Sequence, residues 1–136
     1  YDPDNHELMV RLRAEKIERM ANTIPELEVH GGAEGELLML GWGSTYGPIL
    51  AAVEEARSEG LAVCRAHLRY LSPFPKNLGD VLGKFNMVMM PEMNLGQCRM
   101  LIQSRFLREI VGLNKIKGRP FSVAEIVQKI RELMKG

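Results

Sequence analysis

The sequence predicts an open α/β sheet with helices on both faces, and two stretches and one physical constraint predict it. Residues 36–60 read strand, glycine turn, helix. The apolar run Leu37, Leu38, Met39, Leu40 is too short for a globular helix and suits a strand buried on both faces. It runs into the turn 41–48, which carries Gly41, Gly43 and Gly47 and places Pro48 where a helix begins. Ile49, Ala52, Val53 and Ala56 then recur at helical spacing, and Gly60 is placed to end the helix in a left-handed conformation. Met87, Val88, Met89 and Met90 form a second apolar run that again leads through a turn to a helix. A strand buried on both faces needs parallel neighbours and helical cover above and below, so the rest of the chain is expected to supply both.

Taken in order, residues 2–5 read as a turn-like lead-in with Asn5 as an N-cap. Over 6–22, Leu8, Met9, Leu12, Ile17, Met20 and Ala21 form an uneven apolar stripe among charged residues, an amphipathic helix with a solvated face that Pro25 stops. Residues 26–35 carry Gly31 and Gly32 and few apolar side chains, so they are expected as a surface loop or short edge strand. After the first strand and its helix, 61–68 reads as a second strand, broken by Pro73 and Pro75 because proline cannot donate to a ladder. Leu78, Val81, Leu82 and Phe85 predict a short helix, and the strand at 87–90 is expected to end at Pro91.

Segment 92–96 then leads into a helix bearing Met100, Leu101, Leu107 and Ile110, which Gly112 is expected to close. Residues 113–117 alternate apolar and polar as an edge strand does. Ser122 with Glu125 makes a capping box for a last helix with the regular stripe Val123, Ile126, Val127, Ile130, Leu133. The count is four or five strands alternating with five helices.

At 136 residues the chain is expected to be a single domain, 1–136, made of a leading amphipathic helix at 5–24 and an α/β core at 36–136. Its net charge of +1 comes from positive residues interleaved with acids, which gives no footprint for nucleic acid. No apolar run approaches the roughly 20 residues of a membrane helix, and nothing reads as a signal peptide, so the expectation is a soluble, cytoplasmic protein. Cys64 and Cys98 fall in core elements, which fits a reduced compartment; an iron–sulfur cluster takes about four thiolates. A chain beginning at Tyr1 reads as a piece of a longer polypeptide.

In open α/β sheets ligands sit beyond the carboxyl ends of the strands. Three segments arrive there, 41–47, 65–75 and 91–96, and their candidate ligand or interface residues are Gly41, Gly43, Ser44, Thr45, Arg65, Glu92, Asn94, Gly96 and Gln97. The glycine turn invites a dinucleotide reading, but Tyr46 stands where the third glycine belongs, and Arg65 and His67 stand where an acid would hold a ribose. Ser44 lacks the glycines a nucleophile elbow needs two residues to either side. Glu92 is read as an exposed strand-end acid, a catalytic group or, better supported, an acceptor for backbone amides of a neighbouring loop. Cys98, in the first turn of a helix, is either a thiol activated by the dipole or a buried core cysteine, the favoured reading. His6, His30 and His67 share no metal-ligand spacing and read as surface or helix-end residues. The methionines at 87, 89, 90 and 93 read as core filling.

The stretch Val88-Met89-Met90-Pro91-Glu92-Met93-Asn94-Leu95-Gly96-Gln97, followed by Lys115-Ile116-Lys117-Gly118-Arg119-Pro120-Phe121, resembles the C-terminal region of alpha subunits of 2-oxoacid:ferredoxin oxidoreductases, the 2-oxoglutarate type in particular. Gly41-Trp42-Gly43-Ser44-Thr45, Leu71-Ser72-Pro73-Phe74-Pro75 and the leading Arg13-Ala14-Glu15-Lys16 are similar to that family in the same order, so the resemblance covers almost the whole chain. It implies a transketolase C-terminal-domain-like fold, three-layer α/β/α with a mostly parallel five-stranded sheet and one antiparallel edge strand. It also implies a whole enzyme that decarboxylates a 2-oxoacid to an acyl-CoA with thiamine diphosphate, Mg2+ and an iron–sulfur cluster, passing electrons to ferredoxin. Those cofactors belong, on this resemblance, to an upstream domain of the same subunit and to a beta subunit.

The expectation is therefore a non-catalytic assembly domain, with no catalytic residue, metal or cofactor of its own. Its partners would be the upstream domain, the beta subunit, ferredoxin through the parent enzyme, and a second copy of itself. The alternative is a free-standing nucleotide- or CoA-binding module built on the 41–47 turn and Arg65.

Overall fold

The structure is a computed structural model that describes residues 3–92, 96–114 and 120–135. A leading helix, α1 (Pro3–Ala21), precedes a sheet of β1 (Val29–His30), β2 (Gly35–Trp42), β3 (Val63–Leu68), β4 (Phe85–Glu92) and β5 (Val111–Asn114). Between and after the strands come α2 (Tyr46–Ser58), α3 (Leu78–Leu82), α4 (Gln97–Phe106) and α5 (Val123–Lys135). The strand order is β1-β3-β2-β4-β5; β2 pairs parallel with β3 and β4, β4 parallel with β5, and β1 alone runs antiparallel, against β3. The antiparallel edge is thus the two-residue strand at the glycine-rich 26–35 segment.

The central strand explains the layers. Leu37, Leu38, Met39 and Leu40 are all fully buried, which period-two alternation permits only when both faces are covered. Leu37 and Met39 pack with Ile49, Ala52 and Val53 of α2 and Ile126, Val127 and Ile130 of α5. Leu38 and Leu40 pack on the other face with Leu78 and Val81 of α3 and Cys98 and Ile102 of α4. Burying a side chain of this kind favours folding by about 1.5–3 kcal/mol, so this four-residue run anchors both halves of the core. Arg131 clamps Glu59 in two parallel bonds of 3.0 and 2.9 Å, tying α5 to the end of α2.

The face assignments follow the chain's path. From β2 the chain steps one way to β3 through α2, then steps back across β2 to β4 through α3 and onward to β5 through α4. Right-handed crossovers require the covering helices to change face where the direction reverses. The loops leaving the adjacent strands β2 and β4 therefore diverge to opposite faces, and the crevice between them is the sheet's topological switch point.

Several boundaries differ from the sequence expectation. Asn5 lies inside α1, which begins by Pro3, and Leu8, Met9, Leu12 and Met20 stay exposed instead of packing on the sheet. Pro91 continues β4 opposite Leu113 of the edge strand β5, while the β4 register with β2 runs to Met39–Met89. Phe85 opens β4 rather than closing α3.

Helix α4 ends at Phe106, with Leu107 left-handed at φ 52° and 92% exposed; Ile110 is buried beyond it. Gly112 therefore closes no helix. It pairs with Met90 inside β5, where a Cβ would lie 2.5 Å from Arg99 Nε. Strand β5 ends at Asn114, and the expected continuation over 115–117 lies outside the described residues.

Gly41 and Gly47 give a paired test of this packing. A Cβ on Gly41 would sit 2.6 Å from Ile49 Cδ1, 3.1 Å from Thr45 Oγ1 and 3.3 Å from His67 Nδ1, whereas one on Gly47 would meet nothing within 4 Å. Gly41→Ala is expected to cost about 1–3 kcal/mol through overpacking. Gly47→Ala, in the first turn of α2, should be neutral or stabilising by up to about 1 kcal/mol. Urea unfolding midpoints measure both, and equal midpoints would refute the close approach at Gly41.

Candidate functional site

The switch-point crevice is closed by the chain's own groups. Glu92, the last residue of β4, is 1% exposed, so the expectation of an exposed strand-end acid is wrong. Its Oε1 accepts the backbone N–H of Arg99 at 2.7 Å. Its Oε2 accepts the N–H of Cys98 at 3.1 Å and the indole N–H of Trp42 at 3.2 Å. Gly96 holds the N-cap position of α4 at φ 79°, a left-handed conformation that suits glycine and offers no side-chain oxygen to cap the helix. Glu92 supplies that acceptor from across the turn, and its negative charge complements the positive end of the helix dipole. The favoured reading of Glu92 from sequence is an acceptor for amides of a neighbouring loop; the amides it accepts are instead those of the first turn of α4.

Trp42 is the residue sequence reasoning missed. It ends β2, adjacent to β4, and a half-buried indole needs an acceptor for its one donor. The only signal in the sequence was an acid and a tryptophan each closing a buried apolar strand. Thr45 is likewise internal: its hydroxyl donates to the Trp42 carbonyl at 2.9 Å and accepts the Trp42 N–H at 3.3 Å, closing the 3-10 turn Gly43–Thr45. Gly43 takes φ 63° in that turn, and Ser44 is exposed. Gln97 opens α4. Asn94 lies outside the described residues. Of the predicted residues, the structure brings Glu92 to the Gly96–Gln97 turn and packs Thr45 under Gly41, while Arg65 stands apart.

Arg65 belongs to a second feature, an open cleft of about 290 Å3 at the carboxyl end of β3. Arg65 and His67 alternate along β3, so their side chains leave the same face of the strand, and Arg69, just past its end, also lines the cleft. Tyr46, the first residue of α2, meets the His67 ring edge-on at 5.0 Å. His67 is thus half-buried on a strand, not a surface or helix-end residue. Burial, and secondarily the Arg69 charge, lower its pKa and favour the neutral ring. The opposite wall is held by Asn77, whose amide accepts the Leu27 N–H at 2.8 Å and donates to the Leu27 carbonyl at 3.1 Å.

Both thiols are free and buried. Burial pushes Cys98 up to about 12, with the Glu92 charge adding to it, and burial raises Cys64 as well. The Cys98 thiol is not an activated one: burial, and secondarily the Glu92 charge, keep it protonated. Among the described residues no cluster of three or more His, Cys, Asp or Glu side chains could hold a metal ion. Two protonated thiols fall short of an iron–sulfur ligand set, and among the described residues no group of three His, Cys, Asp or Glu side chains offers itself to the Mg2+ that accompanies a diphosphate. No described helix is long and apolar enough to cross a membrane.

Known proteins share this fold. Residues 35–126 match the family model described as pyruvate:ferredoxin oxidoreductase core domain II. The chain is 46% identical over 137 residues to the 2-oxoglutarate oxidoreductase subunit KorA of Mycobacterium tuberculosis, a match covering 100% of this chain and 21% of that protein. Among solved structures it superposes with TM-score 0.89 and 29% identity on a 2-oxoglutarate:ferredoxin oxidoreductase from Magnetococcus marinus with 2-oxoglutarate, coenzyme A and succinyl-CoA bound, covering 98% of this chain and 24% of that one. A split-gene transketolase described as an inactive beta4 tetramer, 16% identical with TM-score 0.62 over 81% of this chain and 41% of its own, shares the fold. The chain therefore spans about a fifth of the length of the curated relative it matches.

Glu92→Ala leaves three donors without their acceptor and is expected to cost about 3 kcal/mol. Trp42→Phe removes one bond and should cost about 1 kcal/mol. Denaturant unfolding measures both, and an alanine variant within about 0.5 kcal/mol of the parent would refute the clamp. For Cys98, a rise from 9.0 to about 12 means about a thousandfold less thiolate at pH 8 than in an unperturbed thiol. Alkylation of the native chain followed by mass spectrometry should label Cys98 only as the protein opens. The raised value also means the folded state retains a proton the unfolded state loses above pH ~9, so stability should fall as pH rises through that range.

Proposed function

Because the chain belongs to the pyruvate:ferredoxin oxidoreductase core domain II family, we propose that it serves as the non-catalytic assembly domain of the alpha subunit of a cytoplasmic 2-oxoglutarate:ferredoxin oxidoreductase. The parent enzyme, on this reading, converts 2-oxoglutarate to succinyl-CoA and passes the electrons to ferredoxin. Thiamine diphosphate, Mg2+ and the iron–sulfur cluster are carried by the upstream domain of the subunit and by the beta subunit. Support for the substrate comes from the relatives that share nearly the whole of this chain.

The observation that carries the non-catalytic role is the closure of the switch point. Where an open sheet of this topology offers a ligand crevice, Glu92 is buried and accepts from two amides and an indole. An acid so engaged holds a helix in place. Surface character supports assembly: Leu8, Met9, Val10 and Leu12 on α1 and Met100 and Leu101 on α4 are each more than two-fifths exposed.

Calorimetric titration of the 136-residue chain with thiamine diphosphate and Mg2+ should show no binding up to millimolar ligand, and tight binding would overturn the assignment. In the whole alpha subunit co-expressed with its beta partner, Trp42→Phe should lower the yield and thermal stability of the complex. Turnover of 2-oxoglutarate per assembled complex should stay within about twofold, since the cost of about 1 kcal/mol falls on folding. A large loss of turnover in intact complex would place Trp42 in the chemistry.

A further inference from the structure

The open cleft at the carboxyl end of β3 differs from the other described residues in how its half-buried arginine is used. Of the half-buried arginines among the described residues, Arg99 and Arg108 donate to main-chain carbonyls and Arg131 forks onto Glu59. The Arg65 guanidinium makes no hydrogen bond or ion pair to any described residue, although it lines the same cleft as the ring of His67, whose Nδ1 is buried without a hydrogen-bond partner. Arg69, two residues beyond His67, is likewise unpaired among the described residues and reaches the same cleft. Desolvating a guanidinium without an acceptor is costly, and an oxyanion in the cleft would relieve that cost with charge-assisted bonds.

The walls set the size of what fits. The cleft is held open by the Asn77 bonds to Leu27, which keep the 25–28 segment from collapsing onto β3. Its volume, about 290 Å3, lies at the lower end of small-molecule sites. Glu26 and Glu28 stand exposed at the rim, Glu28 turned to His30 at 3.8 Å. A negative rim over a positive floor repels extended polyanions and admits a short molecule whose charged group reaches Arg65. Tyr46, edge-on to His67, gives the body of that molecule an aromatic wall.

We propose that this cleft is a binding site for a small organic oxyanion, whose carboxylate or phosphate pairs with Arg65 and Arg69 against the Tyr46 and His67 rings. The site is separate from the closed switch point and does not depend on the assembly role, since a domain that only assembles has no need of it.

The test is a 1H–15N NMR titration of the 136-residue chain with inorganic phosphate and, separately, with succinate, ionic strength being held constant with chloride. Saturable shifts confined to Tyr46, Arg65, His67 and Arg69 are expected with at least one probe. Saturation by phosphate alone identifies a phosphoryl ligand, and by succinate alone a dicarboxylate. Arg65→Gln should weaken binding about tenfold or more, the loss of one charge-assisted contact. Arg69→Gln, an exposed position that leaves folding intact, should weaken it severalfold. Shifts that stay linear with both probes, or affinities unchanged in both variants, would overturn the site.

Discussion

The interaction on which the architecture depends is the buried Glu92 carboxylate. It draws together three elements that the backbone ladder does not connect at this end of the sheet: the tip of β4 that carries it, the indole at the tip of β2, and the first turn of α4. An ionised carboxylate loses several kcal/mol of hydration on burial, and it is retained only where donors replace the water. Here those donors are groups that themselves need an acceptor, two helix-terminal amides and an indole N–H. Each side removes the other's penalty, so the cluster holds as a unit. Without it, α4 would lose the cap that Gly96 lacks, and the face of the sheet built on Cys98 and Ile102 would lose its fixed cover.

The fold was legible because most of its elements are written in local pattern. A four-residue apolar run with glycine behind it has few fates, and Leu37 to Leu40 are as buried as that pattern implies. The regular stripe of α5 and the Ser122 bond to the Glu125 N–H at 3.1 Å are also local. What escaped was set by distance. Glu92 was read as exposed because an acid beside a proline looks like surface until the donors arriving from six and seven residues downstream and fifty residues upstream are known. Gly112 was read as a helix end because glycine signals one. Its actual reason is the Arg99 side chain lying across β5, which a Cβ would strike. Leu107, a non-glycine residue at φ 52°, ends α4 with no glycine to announce it.

The two strand tips at the same end of the sheet show how one topology serves opposite uses. At β2 and β4 the Glu92 carboxylate, the Trp42 indole and the Thr45 hydroxyl are matched inside the chain. At β3 the chain does the reverse: Asn77 props the 25–28 segment away from the strand, and the Arg65 guanidinium and His67 Nδ1 line the gap without hydrogen-bond partners among the described residues. Fold alone assigns no chemistry to either tip. What distinguishes them is whether the donors and acceptors are already satisfied, and that can be read only after every bond has been traced.

A carboxylate held by three donors also constrains what this part of the chain can do at its switch point. For Glu92 to serve as a general acid or base it would have to exchange a proton with a substrate, and protonation would remove the negative charge that the bonds from Arg99 N–H, Cys98 N–H and Trp42 Nε1 draw on. Chemistry there would then weaken the cap of α4 with each turnover. A protein that needs a reactive acid does better to hold it apart from its helix caps. Placing a carboxylate at the start of α4, bonded to the Trp42 indole, commits it to fixing the position of that helix.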